Sequence, residues 1–282
     1  MLDYLKSSPF YFLPHHLISW LVFHIARIEW TPVKKLSLNI YLSLHEVNMS
    51  EAIEPNPYAY KNLNVFFTRE LKKDARPLAA GSTTMLCPVD GTVSQAQPIK
   101  NGRVFQAKKH DYSLLELVGG NEVLAKPFEN GKFATLYLSP RDYHRIHMPM
   151  AGKLTDMIYV PGRLFSVAPH TVNTVPRLFA RNERLVCAFE TEAGPMIMIL
   201  VGAINVSAID TVWAGSVTPP SKNKIIHTEY KNVDIRLEKG AEMGRFNLGS
   251  TVIMLMGGNI NLDDLITADN TVRMGQALAS YS

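Results

Sequence analysis

Beyond Arg76-Pro77 the chain changes texture, and that change restricts its fold more than any other feature. Segments rich in β-branched and apolar residues follow at 91–93, 133–138, 153–160, 185–191, 196–206, 209–217, 233–238 and 251–256, divided by glycine, proline and polar turns. Runs of this length and spacing suit strands, and their number calls for several sheets. One helix is expected among them, around 112–118. Ahead of residue 80 the spacing is helical instead. The expected fold is therefore α+β, with N-terminal amphipathic helices over residues 1–80 and a β-rich domain over residues 81–282 whose sheets are barrel-like or sandwich-like. No repeat or low-complexity linker separates the two regions, so residue 80 marks a change of role and not a hinge.

In the N-terminal region Leu17, Leu21, Ile25 and Ile28 share one helical stripe, with Ile18 and Val22 beside it. Trp20, Phe23 and Trp30 add rings suited to a headgroup boundary. The apolar run 17–23 is bounded by His15, His16, His24, Arg27 and Glu29. That is well short of the roughly 20 residues a spanning helix needs. A signal peptide fits poorly, because Lys6 is the only early basic residue and no small-residue cleavage site follows. A second helix is expected from Thr31 as N-cap with Pro32 at N1; it places Val33, Leu36, Ile40, Leu44 and Val47 on one face, with Lys34 and Lys35 near lipid charge. A third is expected after Asn56-Pro57, around 62–72. Such stripes fit helices lying in a membrane interface, and equally a helical cap whose stripes are buried.

Composition narrows the function classes. With 282 residues, 46% of them hydrophobic, the chain has enough apolar sequence for one large core or two modest ones. A net charge of +4 favours an anionic lipid surface but is too diffuse for nucleic acid, and no basic stripe with interleaved aromatics is present. Cys87 and Cys187 lie a hundred residues apart with no metal-binding spacing, which points to buried thiols and a reducing, cytoplasmic setting.

Three short segments carry candidate chemistry. Leu248-Gly249-Ser250-Thr251 is a place where a protein can cut its own backbone: glycine leaves the scissile carbonyl unshielded and the Ser250 hydroxyl can attack it. Alone, Gly-Ser-Thr is ordinary turn chemistry. Pro88-Val89-Asp90-Gly91 and Tyr143-His144-Arg145-Ile146-His147-Met148-Pro149 add the acid and imidazole that a serine nucleophile requires. His144 and His147 have a spacing seen in metal sites, but no third ligand stands at a supporting interval and Pro149 argues against a regular helix, so no metal is expected.

These segments, with Phe66-Phe67-Thr68-Arg69-Glu70-Leu71, Arg76-Pro77, Asn182-Glu183-Arg184 and Gly244-Arg245-Phe246, run in one order from about residue 60 to 256. In that order the chain resembles the phosphatidylserine decarboxylases of the bacterial, membrane-associated, pyruvoyl-dependent type; the first sixty residues match only in character. The resemblance implies a proenzyme in which Asp90 orients His147, and His147 acts as base on Ser250. Cleavage between Gly249 and Ser250 then yields a large chain, 1–249, and a small chain, 250–282. Ser250 becomes a pyruvoyl cofactor that forms a Schiff base with phosphatidylserine, releasing carbon dioxide and then phosphatidylethanolamine. His144 is expected to position the substrate carboxylate or to donate a proton; the exchanged assignment, with His144 as base and His147 packed, stays open. The small chain completes the β-rich catalytic domain as a heterodimer with the large one, and a homodimer of such heterodimers is compatible with this. The implied location is the cytoplasmic side of the cell membrane, held peripherally.

Rival readings have their own signatures. A serine hydrolase using Ser250, His147 and Asp90 without self-cleavage would keep Ser250 intact, but Gly-x-Ser-x-Gly is absent. A non-catalytic membrane-bound β scaffold would show neither cleavage nor decarboxylation. A pyruvoyl enzyme acting on a soluble amino acid leaves the amphipathic N-terminus unexplained.

Overall fold

The computed structural model describes residues 2–107, 110–204, 208–218 and 224–282. Four helices lie in the first 80 residues: α1 (Leu2–Ser7), α2 (His15–Ile25), α3 (Thr31–Leu44) and α4 (Leu63–Phe67). From Thr84 onward strands dominate, and the α+β reading holds. The largest sheet has the order Ile226–Glu229, Gly152–Val160, Arg184–Thr191, Gly194–Val201, Ser250–Met256, Lys132–Leu138, Gly91–Pro98, Thr271–Val272, with Arg236–Leu237 also pairing along Gly152–Val160. All its neighbours are antiparallel. Among the described residues the sheets stay open and do not close into a barrel.

Ser250–Met256 occupies the middle of that sheet, and every one of its residues is buried. A strand with core on both faces reads as a continuous apolar run, here Val-Ile-Met-Leu-Met, and not as an alternation. Thr251 to Met256 pair with Val201 to Met196 on one side, and Ser250 to Met256 pair with Leu138 to Lys132 on the other. A second sheet runs Gly215–Ser216, Ala208–Thr211, Glu242–Asn247, Arg145–His147. A third joins Thr84–Leu86, Ala277–Tyr281 and Ile260–Leu262. Residues after 250 thus contribute to two sheets.

Several elements differ from the sequence expectation. Helix α3 begins at Thr31, so Trp30 takes the N-cap position, and Pro32 still lies in the first turn. Helix α4 is capped by Asn62, whose side chain accepts from the Val65 N–H at 3.0 Å, but it stops at Phe67. The cause is tertiary: Ile53 N–H donates to Glu70 O and Lys72 N–H to Glu51 O, drawing 70–72 into an antiparallel pairing. The expected 209–217 strand splits into two around a turn, and 233–238 contracts to Arg236–Leu237. Positions 205–206 of the expected 196–206 strand lie outside the described residues. The helix near 112–118 spans Leu114–Leu117, capped by Ser113.

Asn182-Glu183-Arg184 is structural. The Asn182 amide donates to Phe165 O and Gly202 O, both at 2.9 Å, and accepts from Phe165 N. The Arg184 guanidinium donates to the carbonyls of Leu117, Ala180, Asn182 and Glu116, which satisfies a cation that burial would otherwise penalise. Both cysteines are free and buried.

Candidate active site

The loop that leads into Ser250 is held in an unusual conformation. Leu248 has φ +86° and Gly249 φ +37°, so two consecutive residues occupy the left-handed half of backbone space immediately before Ser250. Glycine adopts this at little cost; for a branched residue such as leucine it stores on the order of 1–3 kcal/mol. The strain is maintained by packing: Leu248 is buried with Ala26 and Phe67, against Val22, Tyr41 and Leu63 of the helical region. The Asn64 amide donates to the Asn247 side-chain oxygen at 2.9 Å, tying α4 to the same loop. Ser250 then opens the central strand. Its hydroxyl is fully buried and, among the described residues, has no hydrogen-bond partner. A buried hydroxyl without a partner carries a desolvation cost, and such orphans concentrate where chemistry occurs.

The two histidines differ in which nitrogen is free. His144 Nδ1 lies 2.9 Å from Asp142 O; since a carbonyl only accepts, Nδ1 carries the proton. This leaves the His144 Nε2 lone pair buried and unpartnered. Phe67 packs against the ring at 4.1 Å between centroids, tilted by 44°, and belongs to the same buried cluster as Leu248, so one aromatic ring serves both His144 and the loop before Ser250. His147 Nδ1 donates to Gly240 O at 2.8 Å, and its Nε2 accepts from the Tyr143 hydroxyl at 3.0 Å. Asp90 is clamped by both Nε and Nη2 of Arg76 and accepts from the Met274 N–H at 2.8 Å. Arg76 also pairs with Glu51. Asp90 precedes the strand Gly91–Pro98, His147 ends the strand Arg145–His147 with His144 just ahead of it, and Ser250 opens the central strand, two places from Gly91–Pro98 in the same sheet. In this arrangement the hydrogen bonds of Asp90 and His147 run to Arg76, Met274, Tyr143 and Gly240, and none joins Asp90 to His147 or His147 to Ser250.

Burial sets the protonation states. Desolvation pushes His144 down to about 3, and it lowers His147 as well. Asp142, whose carboxylate accepts from the Ser139 N–H and hydroxyl, is raised by desolvation. For His144 the folded value lies below the ordinary 6.5, so the stability tied to its neutral form is present above 6.5 and is lost as pH falls from there toward 3. Urea unfolding midpoints between pH 7 and 4.5 are expected to fall more steeply in the native chain than in His144→Asn. Parallel slopes would refute a buried neutral imidazole.

No sequence signal assigned a role to Arg76, Tyr143 or Asp142, although Arg76 precedes Pro77 and Tyr143 precedes His144 in segments that carry the family resemblance. Nor did it foresee that α2, α3 and α4 enclose an apolar groove of about 430 Å³, lined by Val22, Ile25, Ile40, Leu44, Phe67 and Leu248, that reaches Gly249. On the outer surface of the helices the expected stripes face solvent: Leu17 is 55% exposed, Trp30 69% and Leu44 70%. No helix among the described residues is long and apolar enough to cross a membrane.

Comparison with known proteins fits this arrangement. The family model described as phosphatidylserine decarboxylase matches residues 63–280, and a second, described as PSD, matches 5–39. The chain is 54% identical over 258 residues to the phosphatidylserine decarboxylase proenzyme of Alkalilimnicola ehrlichii, covering 90% of this chain and 88% of that one. It is 53% identical over 272 residues to the proenzyme of the same name from Pseudomonas aeruginosa, covering 95% and 94%. The Pseudomonas putida proenzyme is 52% identical over 275 residues, 96% and 95% of the two chains. Family model and relatives together define an enzyme of the decarboxylase class. Within that class, the chain belongs to the phosphatidylserine decarboxylase family.

Proposed function

We propose that this enzyme matures by cutting itself between Gly249 and Ser250, and then converts phosphatidylserine to phosphatidylethanolamine and carbon dioxide at a pyruvoyl group made from Ser250. The observation that carries the reading is the buried, unpartnered Ser250 hydroxyl placed directly after two left-handed residues. Its relatives' description as proenzymes points the same way.

In maturation the Ser250 Oγ bonds to the Gly249 carbonyl carbon while its proton passes to an imidazole. Breakage of the C–N bond leaves an ester and a free amine, and relieves the strain at Leu248. Loss of the Ser250 α-proton expels the Gly249 carboxylate and leaves dehydroalanine; water enters and ammonia departs, giving a pyruvoyl end still joined by its amide to Thr251. Asp90, His147 and Ser250 form the triad that the family resemblance implies, with Arg76 and the Met274 N–H fixing Asp90. A second reading is favoured by one observation: of His144 and His147, His144 alone keeps an acceptor nitrogen free, so His144 also qualifies as the base for Ser250.

Position 250 fits a pyruvoyl group: it is fully buried, its strand is paired on both sides, its own hydroxyl is without a partner, and His144 Nε2 is a buried acceptor without one. When present, the group supplies a ketone that condenses with the substrate amine and accepts the electron pair released with carbon dioxide. Around it, His144 holds or moves a proton at Nε2, fixed by Asp142, and Phe67 covers its ring against water.

The apolar groove at Gly249 suits an acyl chain, and the exposed faces of α2 and α3 suit peripheral attachment at the cytoplasmic side of the cell membrane. Burying one large apolar side chain contributes about 1.5–3 kcal/mol. A Trp20→Glu, Leu21→Glu double variant is therefore expected to lose at least about tenfold in partitioning to phosphatidylserine-containing vesicles, read by flotation. Unchanged partitioning would sink the assignment of these faces to lipid.

A further inference from the structure

A cluster outside the proposed decarboxylation site lies at one edge of the main sheet, whose outermost strand is four places from the Ser250 strand in the strand order. Asp156, His227 and Glu229 each bring one potential ligand atom to within 4.8 Å of the other two. The backbone accounts for this convergence. His227 and Glu229 alternate along the edge strand Ile226–Glu229, so both project from one face. Glu229 stands directly opposite Asp156 in antiparallel register, which places His227 on the diagonal. On its other side the Gly152–Val160 strand changes register against Arg184–Thr191 between Leu154 and Asp156. Bulges of this kind re-aim a side chain and are common next to sites. Asp156 is buried, and its Oδ1 lies 2.8 Å from His227 Nε2.

We propose that Asp156, His227 and Glu229 bind a first-row transition dication of the zinc type, with its fourth position open to water. One imidazole with two carboxylates is a donor set for such borderline ions; magnesium prefers oxygen donors in octahedral geometry and keeps several waters. Donors on a tetrahedral zinc, each about 2.0–2.1 Å from the ion, sit about 3.3 Å apart. The His227–Asp156 pair therefore has to open by roughly half an ångström, within the freedom of the partly exposed His227. Glu229 pairs with Lys231 at 3.1 Å, but both side chains are more than half exposed. An ion pair of that kind contributes little and yields readily to a dication. The bound ion cross-links the outermost strand to its neighbour, where Ile225 and Ile226 are exposed and a free edge invites unwanted pairing.

The test uses the full chain, stripped with chelator and titrated with zinc by calorimetry and with cobalt(II) by visible absorption. One equivalent per chain is expected, with the intense d–d bands of four-coordinate cobalt. Affinity is expected to fall about a hundredfold in His227→Ala and in Glu229→Gln, and magnesium should give no heat. Self-cleavage at Ser250 persisting in both variants reports that they fold, and keeps this site's failure distinct from failure of the proposed maturation. Absence of a stoichiometric equivalent in the native chain, or zinc binding as tight in both variants as in the native chain, would overturn the proposal.

Discussion

Ser250→Ala is expected to yield one uncut chain under denaturing mass spectrometry, and the native protein residues 1–249 and a fragment 250–282 whose N-terminus is blocked by a keto group. The expected effect is complete loss of processing, because the substitution removes the only atom that attacks Gly249. It is also a clean substitution. The Ser250 hydroxyl is buried without a partner, so its deletion relieves an unsatisfied polar group of about 1–3 kcal/mol and leaves the central strand paired as before. An uncut variant is thus expected to melt no lower than the native protein, and lack of cleavage cannot be assigned to misfolding. A native protein that is folded, binds vesicles and still runs as one intact chain would refute self-maturation. Esterase activity in that intact chain would favour the hydrolase reading.

The second large effect separates the two histidines. If His147 is the triad base, His147→Ala stays uncut while His144→Ala is cut but releases carbon dioxide from phosphatidylserine at least about a hundredfold more slowly, the usual scale for losing a positioned acid or base. The hydrogen bonds make the comparison sharp. His147 has both nitrogens engaged, so serving Ser250 requires its Nε2 to leave Tyr143, and Tyr143→Phe should preserve or quicken cleavage. His144 has Nε2 free already. A cut His147→Ala chain together with an uncut His144→Ala chain would reject the triad as drawn and install His144 as the base.

Much of this architecture is readable because strand signals here are local. The run 251–256 has apolar residues without alternation, and a central strand requires that. Asn62 announces α4 by its cap, and Pro32 announces α3. What escapes the sequence is decided by distant partners. Helix α4 ends early because 51–53 pairs with 70–72, and no feature of 62–72 itself encodes that pairing. Arg76 and Asp90 are joined by loops with no periodicity to bring them into register, so the clamp on Asp90 is invisible until the chain is folded. The left-handed Leu248 is likewise unreadable, since leucine adopts that conformation only when packing against Ala26 and Phe67 enforces it.

The position of Ser250–Met256 also orders events during synthesis. Its two neighbours, Gly194–Val201 and Lys132–Leu138, are made well before it, and each waits with one row of backbone hydrogen-bonding groups exposed until residues 250–256 leave the ribosome. The nascent chain thus carries a slot in its largest sheet that only residues 250–256 fill. Filling the slot fixes Ser250 at the head of the central strand, so the proposed cut is expected to follow closure of that sheet. A chain halted before residue 250 would neither mature nor close its sheet, and it would leave two sticky edges facing each other across the gap.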